Sequence, residues 1–177
     1  MVIPMFNIPM VILQCSDWTT KKQKLLDFCV SDNLISDGFV LTDYANRKSS
    51  FYADLGSILQ EEIVTFIQTL DLPVDKVSLL NSWTQTALTG MSHPMHNHGA
   101  YGYSAICYLE FAKDEHTAAT FVAPYLNFLN GSLLKFTPEV EEGTVIFFPS
   151  SIGHYTDPNK SDKPRKILSF NFKVDFD

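Results

Sequence analysis

Three of the chain's five histidines stand together in His93-Pro94-Met95-His96-Asn97-His98, and a fourth, His154, follows the apolar run Phe147-Phe148-Pro149. Alternate residues of an extended chain project to one side, so His96 and His98 can present two imidazoles to one metal ion. His154 sits just beyond a strongly apolar strand, at the opening of a loop, and is the natural third ligand. Arg165 heads the last alternating run, where Arg165, Ile167, Ser169, Asn171 and Lys173 share one face and Lys166, Leu168, Phe170, Phe172 and Val174 the other. Buried Arg, Ser and Asn on one face demand water or a ligand. A guanidinium there suits bidentate pairing with a carboxylate.

The elements that must hold these groups follow from periodicity. Residues 8–14 read as a short strand that begins at a proline, which suits a sheet edge. A helix capped by Asp17 or Thr19 carries Leu25, Leu26, Cys29 and Val30 at helical spacing. Residues 31–50 read as loop with one short strand at 38–41. A second helix runs from Leu55 to Leu70 before Pro73, with Glu62 as the one polar residue on its apolar stripe. Beyond Pro73 the period shifts towards two, with strands expected at 77–86, 102–111, 118–122, 144–148 and 165–174. Such runs, joined by loops of uneven length, predict a mainly β fold, a sandwich or jelly-roll barrel, with two N-terminal helices on one outer face. One domain over 1–177 is expected, with 1–75 as helical support and 76–177 as the β core.

Composition narrows the function. With 45% hydrophobic and 19% charged residues, 177 residues suffice for a core without disulfides. A net charge of −7 argues against non-specific nucleic-acid binding. Three scattered cysteines suit a reducing compartment, and the apolar start has no basic segment before it and no cleavage site. No run is long enough for a membrane span, so a cytoplasmic protein is expected. Cys107 reads as a small buried hydrophobe and His116, in an acidic turn, as solvated. The aromatic segment 121–138 reads as a long loop, either a lid or a hydrophobic cap.

The arrangement Asn81-x-Trp83, His96-x-His98, Ser104-x-x-x-Tyr108, Gly143-x-x-x-x-Phe148-Pro149-Ser150-x-x-x-His154 and Arg165-x-x-x-Ser169-Phe170-Asn171 resembles the Fe(II) and 2-oxoglutarate dependent oxygenases. Among them it is most similar to a small prolyl-hydroxylase-like group of bacteria and their phages. The resemblance, over residues 77–174, implies a double-stranded β-helix, a jelly-roll of the cupin-like barrel type. It implies Fe(II) on His96, His98 and His154, and 2-oxoglutarate as co-substrate held by Arg165 with Tyr108 and Ser169. O2 and a small-molecule or peptide substrate would complete the set, giving a dioxygenase that hydroxylates an unidentified substrate, with a protein or peptide side chain as one option.

Asn81, Trp83 and Asn171 are the candidate substrate-pocket residues, Trp83 having plain core packing as its alternative. His98 stands where most of the superfamily has Asp or Glu. Either it ligates directly, or an acid such as Glu110 or Asp114 substitutes, or the position is open to water or an anion. A cupin-type metal protein shares H-x-H and the spacing of Gly143, Pro149 and His154, but lacks its expected Glu and does not call for Arg165. A non-catalytic binding module, or a structural protein without metal, is the further alternative. The substrate and the oligomeric state stay open.

Overall fold

The alternation of residues 165–174 folds as the central strand of the protein. In a computed structural model that describes residues 8–27, 34–46, 51–71 and 73–176, the chain runs β1 (Val11–Gln14), α1 (Trp18–Asp27), β2 (Ile35–Ser36), β3 (Leu41–Thr42), α2 (Phe51–Ile58), α3 (Gln60–Leu70) and β4 (Val74–Ala87). It continues through β5 (His93–His96), β6 (Tyr103–Glu110), β7 (Thr120–Leu126), β8 (Leu133–Phe136), β9 (Thr144–Pro149), β10 (Gly153–Thr156) and β11 (Arg165–Phe176). Two sheets result: a seven-stranded one in the order β1-β9-β6-β11-β4-β3-β2 and a four-stranded one in the order β5-β10-β7-β8. The pairings are antiparallel throughout.

The two faces of β11 divide the interior as their residue types require. Leu168, Phe170, Phe172 and Val174 join Leu25, Leu55, Leu59 and Phe66 in a core beneath the helices. Phe66 stacks on Phe147 at 4.7 Å and meets Phe172 edge-on at 5.5 Å, arrangements that aromatic quadrupoles favour. On the other face Ile167, with Tyr108, Ile146 and Phe148, packs against Phe121 and Ile152 between the two sheets.

The N-terminal part differs from expectation. Residues before 76 supply three strands of the larger sheet as well as helices: β1 is its edge, as Pro9 suggested, and β2–β3 form a hairpin where loop with one strand was expected. Asp37 builds that hairpin, since its carboxylate Oδ1 accepts from the N–H groups of Phe39 (2.8 Å) and Val40 (2.9 Å), a common use of Asp in turns. The second helix is two helices, broken at Leu59, whose φ of −101° and ψ of 21° leave the helical region. α3 stops at Asp71, with φ 51°, just ahead of Pro73. Cys29, Val30 and the loop residues 31–33 and 47–50 lie outside the described residues.

Short strands were the other omission. β5, β8 and β10 have four residues each, and segment 121–138 is mostly the β7–β8 hairpin, not a loop. Its tip is strongly apolar, with Phe128 91% exposed. No helix among the described residues is long and apolar enough to cross a membrane.

Glu62, on the apolar stripe, is only 3% exposed and anchors the helical layer. Its carboxylate lies 2.8 and 3.0 Å from Lys21 Nζ and accepts the Ser16 N–H at 3.0 Å. Lys21 is held above its ordinary pKa: burial opposes its charge, but hydrogen bonds and attraction from Glu62 and Glu61 outweigh that cost. Glu62→Ala is expected to cost about 3 kcal/mol of stability by urea unfolding, the low end for breaking a buried ion pair because Glu61 remains.

Candidate active site

Antiparallel pairing and one chain reversal assemble the histidines. β5 runs beside β10 with His96 opposite His154, bringing the two rings to 4.4 Å. His98 lies beyond the end of β5, where its N–H donates to the Ser150 carbonyl at 2.9 Å and returns the ring to the same point. Gly143 makes the entry to β9: at φ +86° a Cβ would fall 2.8 Å from the Trp18 ring, so only glycine fits the turn that sets Phe148 and, beyond it, His154.

Each ligand candidate has its Nδ1 occupied. Nδ1 of His96 is 2.9 Å from the Pro94 carbonyl, that of His98 is 2.9 Å from Asn171 Oδ1, and that of His154 is 3.1 Å from the Ile152 carbonyl. Donation to these oxygens places the proton on Nδ1 and the lone pair on Nε2. One nitrogen from each ring lies within 4.8 Å of the others, and the Nε2 atoms of His96 and His98 are 3.3 Å apart. Nitrogens bound at about 2.1 Å to one ion, at right to tetrahedral angles, stand about 3.0–3.4 Å apart. The His96–His98 pair meets this spacing and the His154 nitrogen lies within 4.8 Å of both, so the three could hold a divalent metal. No carboxylate joins the cluster among the described residues. Glu110 instead pairs with Lys166 at 3.2 Å, and Asp114 lines a separate hollow with His116.

The walls are dry. His154 is 3% exposed and packed by Phe121 and Phe148, at 5.6 and 5.0 Å. Burial, reinforced by His96 and His98, pushes its pKa down to about 3, and burial lowers that of His96 as well. Neutral imidazoles are thus presented at physiological pH, with no proton to displace. The same shift predicts acid lability of the metal-free protein. Between 6.5 and 3 the unfolded chain binds the proton that folded His154 refuses, so stability is full above pH 6.5 and falls as pH drops. The slope is about 1.4 kcal/mol per pH unit for this one group. Urea midpoints measured from pH 7 to about pH 5, before carboxylates titrate, should show the decline, and His154→Gln should make it shallower, leaving the share of His93 and His96, whose pKa values burial also lowers.

Arg165 and Tyr108 meet at the other end of the interior. Both are buried and border a small cavity of about 10 Å³ together with Thr156, Ala119 and Ile167. Arg165 donates to the Thr117 carbonyl at 2.8 Å through Nη1 and approaches the Asp157 carbonyl at 3.4 Å through Nη2, two of its five N–H groups. Burial lowers its pKa against the opposing pull of Tyr108 and Asp157. The Tyr108 hydroxyl accepts from the Ala119 N–H at 3.0 Å, and burial pushes its pKa up to about 12, so it stays a neutral donor. Ser169, 2% exposed, lies between Ile167 and Asn171 on the inward face of β11.

A second cavity of about 400 Å³ opens over the histidines, lined by Asn81, Trp83 and Asn171 as well as His96 and His98. The side-chain oxygen of Asn81 is buried there with no hydrogen-bond partner among the described residues, which leaves an acceptor free for a donor. Trp83 is buried like a core residue, 5% exposed, and its ring packs 5.0 Å from that of His98 at the cavity wall. Asn171 does more than line the pocket, since it also holds His98. His116 is buried, not solvated. Its Nδ1 accepts the Ala112 N–H and its Nε2 donates to the Lys163 carbonyl, tying the turn before β7 to the chain entering β11.

Residues 81–171 match the family described as "Putative 2OG-Fe(II) oxygenase", and the matched span contains all nine candidate site residues. The chain belongs to this 2OG-Fe(II) oxygenase family. An oxygenase of this family is an enzyme that uses Fe(II) and 2-oxoglutarate, and the three histidines here are suited to the metal. The oxygenase has the same fold as the viral collagen prolyl hydroxylase of Paramecium bursaria Chlorella virus-1, solved with 2-oxoglutarate (TM-score 0.66, 15% identity, 94% of this chain and 96% of that one). It also resembles HygX of Streptomyces hygroscopicus, solved with nickel, 2-oxoglutarate and hygromycin B (0.67, 13%, 94% and 83%). A prolyl-4-hydroxylase of Pseudomonas putida is similar too (0.60, 12%, 94% and 93%). No curated protein matches the sequence.

Proposed function

We propose that the oxygenase hydroxylates a side chain of a protein or peptide, with Fe(II) on His96, His98 and His154 and with Arg165 and Tyr108 gripping the far carboxylate of 2-oxoglutarate. The observation that carries this reading is the convergence of three imidazoles, one nitrogen of each within 4.8 Å of the others, beside an interior that ends at a buried guanidinium. On this reading the two sheets close as a double-stranded β-helix around the site. A peptide substrate is supported by the open cavity of about 400 Å³ above the histidines and by the two prolyl hydroxylases that share the fold.

When bound, the metal with 2-oxoglutarate and O2 supplies the oxidation of a C–H bond, with succinate and CO2 as by-products. The chain's own residues bind, orient and exclude water. Phe121 and Phe148 shield His154 from water, Asn171 and two backbone carbonyls hold the tautomers of the three imidazoles, and the Asn81 oxygen is placed to accept from substrate. Taking the co-substrate requires Arg165 to turn N–H groups towards it and the small cavity beside Tyr108 to widen, so ordering of this end is expected on binding.

Anaerobic titration with Fe(II) and then 2-oxoglutarate tests the reading through the visible charge-transfer band of the chelate. The band should form and succinate should follow on admitting air. Metal binding without a chelate would support a cupin-type protein, and a chelate that never yields succinate with any peptide pool would support a binding module.

A further inference from the structure

The metal site as read above lacks the carboxylate that most relatives place beside the iron, yet a carboxylate stands one imidazole behind His96. His93 Nδ1 is 2.9 Å from His96 Nδ1, and His93 Nε2 is 3.8 Å from Asp37 Oδ2. Both partners are anchored. The His93 ring packs 4.1 Å from that of His96 and the backbone N–H of His93 donates to Thr156 Oγ1, while Asp37 Oδ1 is committed to the turn between β2 and β3.

The proton positions along this line follow from one condition. If His96 offers its Nε2 lone pair to a metal, its proton sits on Nδ1. Only one proton fits between two Nδ1 atoms 2.9 Å apart, so His93 Nδ1 is an acceptor that shares the His96 Nδ1–H with the Pro94 carbonyl, also at 2.9 Å, and its own proton is on Nε2. That N–H faces Asp37, at a Coulombic distance and not a hydrogen-bonding one. Metal-ligating histidines commonly have a carboxylate or carbonyl on the far ring nitrogen, which raises ligand basicity.

Resting on the three-histidine reading, we propose that Asp37 and His93 are positioning residues that supply the missing negative charge to the metal centre from behind His96. They would act through the imidazole, with Asp37 holding the His93 tautomer that accepts from His96. The sequence hides this role, since Asp37 lies in a segment that reads as loop, far upstream of the histidine cluster. The hairpin bearing it thus has a purpose beyond extending the sheet.

Asp37→Asn separates charge from structure, because its side-chain oxygen can still accept from Phe39 and Val40. His93→Phe keeps a ring against His96 and removes the acceptor. The measurements are Ni(II) and Fe(II) affinity by titration of the metal-free full chain, 2-oxoglutarate affinity on the metal-loaded chain, the wavelength of the chelate band, and the melting temperature. The expected result for both variants is about 10-fold weaker metal binding, together with tighter 2-oxoglutarate binding and a band moved to shorter wavelength. Loss of negative charge weakens a cation's site but favours the dianion, whereas a purely structural defect weakens both. Unchanged affinities and band, or metal and 2-oxoglutarate weakened together with a lowered melting temperature, would overturn the proposal while leaving the three-histidine site standing. A wild-type chain whose metal binding is indifferent to His96→Ala and His154→Ala would overturn the underlying reading and this proposal with it.

Discussion

His154→Ala is expected to weaken metal binding by roughly 70- to 900-fold and to abolish the chelate band. Structural zinc is held by about 10–16 kcal/mol over four ligands, so one well-placed ligand carries about 2.5–4 kcal/mol. His154 is well placed: it is 3% exposed, held through Nδ1 by the Ile152 carbonyl, and already neutral because burial pushes its pKa down to about 3. Competition against a chromophoric chelator measures the loss. The same experiment on His98 separates the three options for that position. If it ligates, His98→Ala behaves like His154→Ala, while His98→Asp keeps the metal, lowers the charge at the centre and weakens 2-oxoglutarate. Metal affinity unchanged in His98→Ala would show that the position is open or filled from elsewhere.

The second large effect belongs to Arg165. Arg165→Ala should raise the dissociation constant of 2-oxoglutarate by roughly 30- to 4000-fold, the about 2–5 kcal/mol of a truncated buried charge pair, with metal affinity retained. The contacts of Arg165 support that separation of effects: it meets the Thr117 and Asp157 carbonyls and lies beside Tyr108, none of them a histidine of the metal cluster. Arg165→Lys keeps the charge but loses the planar fork, so it should recover part of the affinity only. Equal affinities in wild type and Arg165→Ala would remove Arg165 from the site and favour the cupin-type alternative.

The legible and illegible parts of this protein divide along physical lines. Long periodic runs were readable: β11 and its two faces came straight from alternation, and the stripe Leu55–Leu70 marked the helical layer. The break at Leu59 was not readable, because a leucine in an apolar stripe gives no local sign that the helix bends there. Four-residue strands such as β8 and β10 carry too few alternations to stand out from loops, and they exist because a partner strand offers hydrogen bonds. His116 was misjudged for a similar reason. Its neighbours Asp114 and Glu115 look solvated, but the Ala112 N–H of its own turn donates to Nδ1 and the chain before β11 folds over the ring and accepts from Nε2.

By itself the sequence determined the kinds of groups available: two imidazoles two residues apart, a third after an apolar strand, and an arginine on a polar strand face. These followed from residue type and a period of two, which are properties of the chain alone. Tertiary structure decided which lone pair each imidazole offers, since that depends on Pro94, Ile152 and Asn171 reaching the far nitrogens. It also decided that Asp37 stands behind His93 and that Ser150 steers His98. The reach of Asn171, Ser150 and Asp37 is set by sheet register and chain reversal between segments distant in sequence, where no local pattern records it, whereas Pro94 and Ile152 each stand two residues before the imidazole they hold.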